Sequence, residues 1–402
     1  METSDRVHAL DAVRALALLL GVVLHAAMSF VPGIGPVGWP IVDSSPSAAL
    51  GSLFFVIHTF RMTLFFVVAG YFAHLLYHRQ GPKGFWVNRA KRVLAPLLVF
   101  WPLVLPAIVA AMYWASLKSG RPLTPPKPAP GTVLPFPLAH LWFLYVLLGL
   151  YALLLAVRSV LLALPVRGQG LRVLIDAVVA RICTVPLASA VLALPVALAL
   201  HAHLRWYAWA GIPTPDSSLL PNVPAVVAFG VALCFGWLLR RQPQGLDLIS
   251  RHTLVYASAA VVFTSACLAM AGLTMNSVDL SGWRRAGYAL GYSVAGLCWT
   301  FALIGAAWRF LSRPAPWRRY LADASYWIYL VHLPLVFGLQ AAVQDWPVPW
   351  GLKFPLVLGI AMLVLLASYH WLVRSTWVGA WLNGRRHARQ GAISSSTRLH
   401  GL

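Results

Sequence analysis

The chain is expected to be an all-α, polytopic membrane protein with about ten transmembrane helices and both termini in the cytoplasm. Three observations predict this. Of its 402 residues, 60% are hydrophobic and 10% charged, a balance that water-soluble domains do not carry. Apolar runs of about twenty residues, the length that crosses a bilayer as a helix, recur from one end to the other. The cations fall in alternate loops, divided about 23 to 7 with Arg61 left inside a run. The positive-inside rule assigns the richer set to the cytoplasm.

The ten runs are 9–30, 49–77, 93–115, 138–160, 185–203, 222–239, 253–273, 286–308, 321–342 and 353–374. The first could pass for a secretory signal, but Asp11 and Arg14 interrupt its apolar centre, so it reads as an uncleaved anchor. The second is longer than a bilayer needs and must tilt, break or extend beyond the surface. Pro102, Pro106 and Pro334 fall inside runs and predict kinks. The Pro-rich stretch within 116–137 is an extended loop on the outer side. Residues 1–384 form the membrane domain, and the polar tail 385–402 is expected to be disordered. Cys183, Cys234, Cys267 and Cys298 all lie in apolar segments and read as buried thiols. No internal repeat is evident. The formal charge of +21 is accounted for by orientation, anionic lipids and a phosphorylated substrate, so no nucleic-acid partner is expected.

Ionisable groups inside a membrane are costly and usually functional. Arg14 and His25 are eleven residues apart in the first run. On a helix they share one face, separated by roughly 16.5 Å along the axis. That places a cation at the cytoplasmic surface and a titratable base in the outer half. The bland alternative is a snorkelling arginine and a satisfied core histidine. Arg61 falls near the bilayer midplane and needs a partner, for which Asp11 and Asp43 are candidates, and His58 lies one turn away. Buried ion pairing between helices would explain Arg61 equally. Arg89 and Arg92, three apart, point the same way on a helix and make a phosphate clamp or a lipid-head site. His140 and His332 lie at and within later runs, His332 the deeper of the two. His74 and His78 are four apart, but nothing around them completes a metal motif, and no metal is expected.

These residues carry a resemblance. Leu10-Asp11-x-x-Arg14 with ten residues before His25, Phe60-Arg61-Met62-x-x-Phe65-Phe66-x-x-x-Gly70-Tyr71-Phe72, Arg89-x-x-Arg92 followed by Pro96, His140-Leu-Trp-Phe-Leu, and Tyr326-Trp-Ile-Tyr-Leu-Val-His332 occur in that order. The chain resembles the acyltransferase-3 family of integral membrane acyltransferases over nearly its whole length. Within the family it is most similar to the branch associated with succinylation of osmoregulated periplasmic glucans.

The resemblance implies a multi-pass protein of the bacterial inner membrane. It implies a cytoplasmic acyl-CoA donor (succinyl-CoA or acetyl-CoA) and a periplasmic or cell-surface glycan acceptor. The family's Arg-x10-His motif maps onto Arg14 and His25, and its Arg-x-x-Arg motif onto Arg89 and Arg92. Ala69 stands where the family often has Ser, which removes any role for a hydroxyl there. The expected reaction is O-acyl transfer. Arg14, Arg89 and Arg92 hold coenzyme A phosphates, and neutral His25 is the general base. Arg61 or His58 stabilises the thioester oxyanion, and Arg61 is also the cation available to a succinyl carboxylate. The rival classes are a glycan or lipid transporter or flippase, using the buried charges as a path, and a structural membrane subunit.

Overall fold

A computed structural model describes residues 8–35, 39–120, 134–163, 166–204, 206–275 and 280–384, and the backbone alone at 166–168. The expected tail 385–402 and most of the Pro-rich loop lie outside the described residues. The helices are α1 (His8–Met28), α2 (Ala48–Arg89), α3 (Ala95–Ser119), α4 (Trp142–Ala163), α5 (Val166–Thr184), α6 (Ala190–Ala202), α7 (Val223–Leu239), α8 (Gly245–Arg251), α9 (Thr253–Ala271), α10 (Gly282–Phe310), α11 (Pro316–Val343), α12 (Trp350–Ser368) and α13 (Trp377–Asn383). Among the described residues there is no β-strand beyond one isolated bridge, Pro135 to Ser218. The protein is an all-α, polytopic membrane protein.

Each of the ten expected runs holds a helix. Among the described residues, seven helical stretches are long and apolar enough to cross a bilayer, one of them the continuous Ala48–Ser119 that contains both α2 and α3. The two short exceptions, α6 and α7, have 13 and 17 residues. α5, α8 and α13 do not correspond to any expected run. Their sequences are too polar or too short to register as spans.

α2 meets the excess-length expectation by breaking. It runs from a Ser47 cap, whose hydroxyl accepts from the Leu50 N–H at 3.3 Å, to Gly81. There φ is +69° and ψ 177°, a conformation that favours glycine, and Pro82 follows. A five-residue π-turn, Ala90–Leu94, then passes the chain into α3. α3 and α11 continue as helices through Pro102, Pro106 and Pro334.

α2 is the central helix, and glycines let its neighbours close on it. A Cβ at Gly70 would fall on the Leu233 carbonyl, one at Gly236 on the Val67 carbonyl, and one at Gly296 within 2.7 Å of the Thr59 carbonyl oxygen. The α2–α7 and α2–α10 backbones therefore touch, as small residues permit between helices in lipid. Large apolar side chains such as Leu98, Leu103 and Leu117 of α3 are exposed, which in this setting is a lipid-facing surface rather than a docking patch.

Because α7 begins only at Val223, and Phe229 on it already stacks on Phe66 of α2 at 4.7 Å, the preceding segment lies within the depth of the bundle. Its Ala210 and Ile212 backbone packs against His58. The segment leading into α4 lies at similar depth. There, Tyr329 of α11 donates its hydroxyl to the His140 carbonyl at 2.9 Å.

Candidate functional site

His25 occupies the last turn of α1 and meets His332 of α11. His25 Nδ1 and His332 Nε2 are 2.9 Å apart, and His332 Nδ1 is 2.8 Å from the Tyr329 carbonyl oxygen. A carbonyl only accepts, so His332 Nδ1 carries the proton. With both rings neutral, His332 Nε2 is then the acceptor and His25 donates from Nδ1. His25 Nε2 is left with a free lone pair. The tautomer of the base is thus set by the network two bonds away. The backbone beneath is fixed as well: Gln340 Nε2 donates to the His25 carbonyl at 2.8 Å and to that of Ala26 at 3.2 Å. Trp39 stacks on His25 with ring centroids 5.9 Å apart and nearly parallel planes, and is itself backed by Phe337 at 4.5 Å.

His140 completes a histidine group. Its ring centroid is 5.0 Å from that of His332. Its Nε2–H donates to the Leu330 carbonyl at 3.2 Å, which leaves Nδ1 as an acceptor. The residue before it, Ala139, has φ +47°. For a residue with a Cβ this is the sparsely populated left-handed region, a form of strain that tends to collect at functional sites.

Arg61 reaches this group across α1. A Cβ at Gly21 would lie 2.6 Å from Arg61 Nη1, so the absence of a side chain at Gly21 makes room for the guanidinium. Arg61 is within electrostatic reach of His25, His140, His332 and Tyr329. His58 acts on His25 from the same side of α2 and stacks on Phe54 at 5.3 Å. The structure corrects one expectation here. Neither Asp11 nor Asp43 partners Arg61. Asp11 pairs with Arg14 at 3.1 Å, and Asp43 pairs with the fully buried Lys353 at 2.9 Å. No carboxylate pairs with Arg61 among the described residues. Trp39 Nε1, His58 Nδ1, Arg61 Nε and His140 Nδ1 are all buried and make no hydrogen bond among the described residues. Unpaired buried polar atoms are costly, and all four belong to residues that stack on His25 or act on it electrostatically.

The second half of the site lies at the basic face. Arg14, above the Phe72 ring at 5.8 Å, and Arg89 both act electrostatically on Arg92. Arg89 sits over Phe85 and Tyr151, each ring centroid 5.6 Å away, and is held by Asn88 Oδ1 at 2.7 Å. The π-turn matters here, because it carries Lys91 and Arg92 directly after Arg89 at the α2–α3 join. Tyr326 of α11 donates its hydroxyl to the Arg92 carbonyl at 2.7 Å, and its ring stacks on that of Tyr329 at 6.3 Å. α11 therefore joins the arginines to the histidines within two turns.

Of the sequence-predicted residues, His25, Arg61 and His58 come together, and Arg14, Arg89 and Arg92 come together as a separate group. His332 and His140 belong to the first group, although spacing within separate runs could not connect them to His25. The nearest hint was the depth of His332 in its run. His74 and His78 stack at 4.0 Å, and among the described residues no group of three His, Cys, Asp or Glu side chains could hold a metal.

Comparison with known proteins gives the family. Residues 7–370 match the acyltransferase domain of the acyltransferase-3 family. A 145-residue stretch is 33% identical to the glucans biosynthesis protein C of Escherichia coli (strain SMS-3-5 / SECEC) and covers 36% of this chain and 37% of that protein. The protein of the same name from Salmonella paratyphi B is 32% identical over the same length and shares. The aligned part is thus little more than a third of those relatives' own length. No solved structure matches. With the match spanning both the histidine group and the arginine group, the chain belongs to the acyltransferase-3 family.

Proposed function

We propose that the protein transfers an acyl group, succinyl or acetyl, from acyl-coenzyme A at the cytoplasmic face of a bacterial inner membrane to a hydroxyl of a periplasmic or cell-surface glucan. The observation that carries this reading is the free Nε2 of His25. It is a base with an assigned tautomer, beside a guanidinium that pairs with no carboxylate among the described residues, on the helix that also carries Arg14.

Arg14, Arg89 and Arg92 receive the phosphates of coenzyme A, which planar guanidiniums bind well. The thioester arm extends past Tyr326 and Tyr329 towards His25, a reach that matches the roughly 16.5 Å between Arg14 and His25 along α1. His25 Nε2 takes the proton of the acceptor hydroxyl as its oxygen bonds to the thioester carbon. The carbonyl oxygen becomes an oxyanion beside Arg61, in surroundings where fixed charge acts strongly. As the tetrahedral carbon collapses, the C–S bond breaks. The thiolate leaves with the proton returned by His25, and His332 holds the imidazole in register throughout. The glucan acceptor follows the name borne by the relatives from Escherichia coli and Salmonella.

The test is His25→Ala in the full chain, purified into lipid nanodiscs and assayed with labelled acyl-coenzyme A and a glucose oligomer. Transfer should fall by about 10²–10⁴-fold, the usual contribution of a general base, with donor binding retained. A variant that acylates at the wild-type rate would remove His25 from the chemistry.

A further inference from the structure

A second cationic group, which the reaction above does not use, forms where α2, α4 and α7 meet. Arg158 of α4 donates from Nη1 to the Tyr77 hydroxyl at 3.3 Å, and its guanidinium carbon is 4.8 Å from the centre of that ring. Tyr77 packs on Trp237 of α7 at 5.6 Å, and Trp237 packs on His74 at 5.0 Å. Arg240, one turn beyond Trp237, lies over the Tyr71 ring at 5.8 Å. The two arginines thus flank Tyr71, His74 and Tyr77, successive neighbours three apart on α2. Both, together with Arg241, act electrostatically on His74.

Cations near helix ends are commonly occupied by a carboxylate or by the last carbonyls. Arg241 is occupied, because it pairs with Asp176. So is Arg172, which donates to the Leu161 carbonyl at 3.0 Å. Arg158 and Arg240 are different. Among the described residues their partners are a tyrosine hydroxyl and aromatic rings, and no acid pairs with either. Arg240 Nε is buried without a hydrogen bond, while both side chains keep part of their surface exposed. Two guanidiniums held in place by rings, with N–H donors to spare, suit a phosphate.

This group lies one aromatic layer from the first. Tyr77 is 6.0 Å from Phe85, the ring beneath Arg89. On α4, Arg158 follows Tyr151, which also lies beneath Arg89, by seven residues. Seven residues is two turns, so both side chains face the same way, roughly 10.5 Å apart along the axis. The order along the chain from His140 through Tyr151 to Arg158 runs from the histidine group past Arg89 to this second group. Coenzyme A also carries its phosphates in two places. A diphosphate joins the pantetheine arm to the ribose, and a monoester beyond it, on the ribose 3′ oxygen, holds nearly two negative charges at neutral pH.

We propose that Arg158 and Arg240 bind the 3′-phosphate monoester of the coenzyme A donor, while Arg14, Arg89 and Arg92 hold its diphosphate. This rests on the reading that acyl-coenzyme A is the donor. The phosphate of a lipid headgroup has related chemistry, and the lipid used in the experiment separates the two sources.

Binding of labelled coenzyme A and of 3′-dephospho-coenzyme A is measured with full-length protein in nanodiscs, first of phosphatidylcholine and then with phosphatidylglycerol added. Wild type should bind coenzyme A about 10–100-fold more tightly than the dephospho form, the effect of losing charge-assisted hydrogen bonds. Arg158→Gln/Arg240→Gln should reduce that preference to within about threefold. Its Kd for dephospho-coenzyme A should stay within about twofold of wild type, which also shows that the variant is folded. Equal wild-type affinity for the two ligands overturns the proposal. So does a double variant that keeps the preference, or one that weakens both ligands alike. A change in coenzyme A binding seen only with phosphatidylglycerol assigns the arginines to a lipid headgroup and overturns it too. If wild type binds neither ligand, the donor reading itself fails, and that failure is visible without any variant.

Discussion

His332→Phe isolates what the two-histidine relay contributes. Phe keeps a ring of similar volume at a position that is 1% exposed, so packing against α1 is largely retained. It deletes the 2.9 Å acceptor for His25 Nδ1–H. His25 can then hold its proton on either nitrogen and turn about its side-chain bonds, and the lone pair no longer points reliably at the acceptor. General-base catalysis is worth about 10²–10⁴-fold, and most of it depends on the base being presented correctly. A kcat loss of about 10²–10³-fold is expected, or about 2.7–4.1 kcal/mol at 1.36 kcal/mol per decade. Leaving the His25 N–H unpaired costs about 1–3 kcal/mol of stability, which thermal unfolding in detergent will register separately. The arginine group is untouched, so the KM for acyl-coenzyme A should stay within about twofold. His332→Gln, which restores a carbonyl acceptor, should regain part of the rate. If His332→Phe keeps kcat within about threefold of wild type, the relay has no catalytic role and the tautomer assignment is wrong.

Two further perturbations probe the surroundings. Gly21→Ala places a methyl 2.6 Å from Arg61 Nη1. The flexible end of Arg61 must move, so kcat should drop about tenfold or more with little change in unfolding temperature, read from the same transfer assay. Lys353→Met leaves the Asp43 carboxylate buried without its cation and should destabilise the protein by about 3–5 kcal/mol, measured as a lowered unfolding midpoint. The double variant Asp43→Asn/Lys353→Met should recover much of this, because both charges are then gone.

The helical architecture was legible because a lipid environment forces it: backbone polar groups must be satisfied within each segment, and side chains facing lipid must be apolar. Ten runs therefore gave ten helices. α5, α8 and α13 were not legible because they need not be apolar. The break at Gly81-Pro82 could be read only as surplus length in the second run. Within the site, Arg14 and His25 were legible because one helix carries both and its geometry is fixed. The partners of Arg61 were not. The nearest acids in sequence, Asp11 and Asp43, are claimed by Arg14 and Lys353, and no rule of spacing reveals that Lys353, 310 residues beyond Asp43, is the one that reaches it. His332 and His140 were seen individually, but their convergence on His25 depends on how α1, α4 and α11 pack.

The Asp43–Lys353 pair also connects stability to chemistry. Lys353 Nζ donates to both carboxylate oxygens at 2.9 Å and to the Gln344 carbonyl at 3.3 Å, so the ammonium group is fully used. The Asp43 N–H donates to the Ser29 carbonyl at 2.9 Å, and Ser45 Oγ accepts from the Trp350 N–H at 3.0 Å. These bonds tie the chain following α1 to the start of α12, and that same chain carries Trp39 over His25. Trp39 covers a face of His25, and its Nε1–H has no partner among the described residues. A base whose tautomer is set by His332 and whose ring plane is set by Trp39 has little rotational freedom left. Among the described residues, no carboxylate competes for the charge of Arg61. Asp11 and Asp43 are thus committed to Arg14 and Lys353, and kept away from the guanidinium of Arg61 that must remain available to a developing oxyanion.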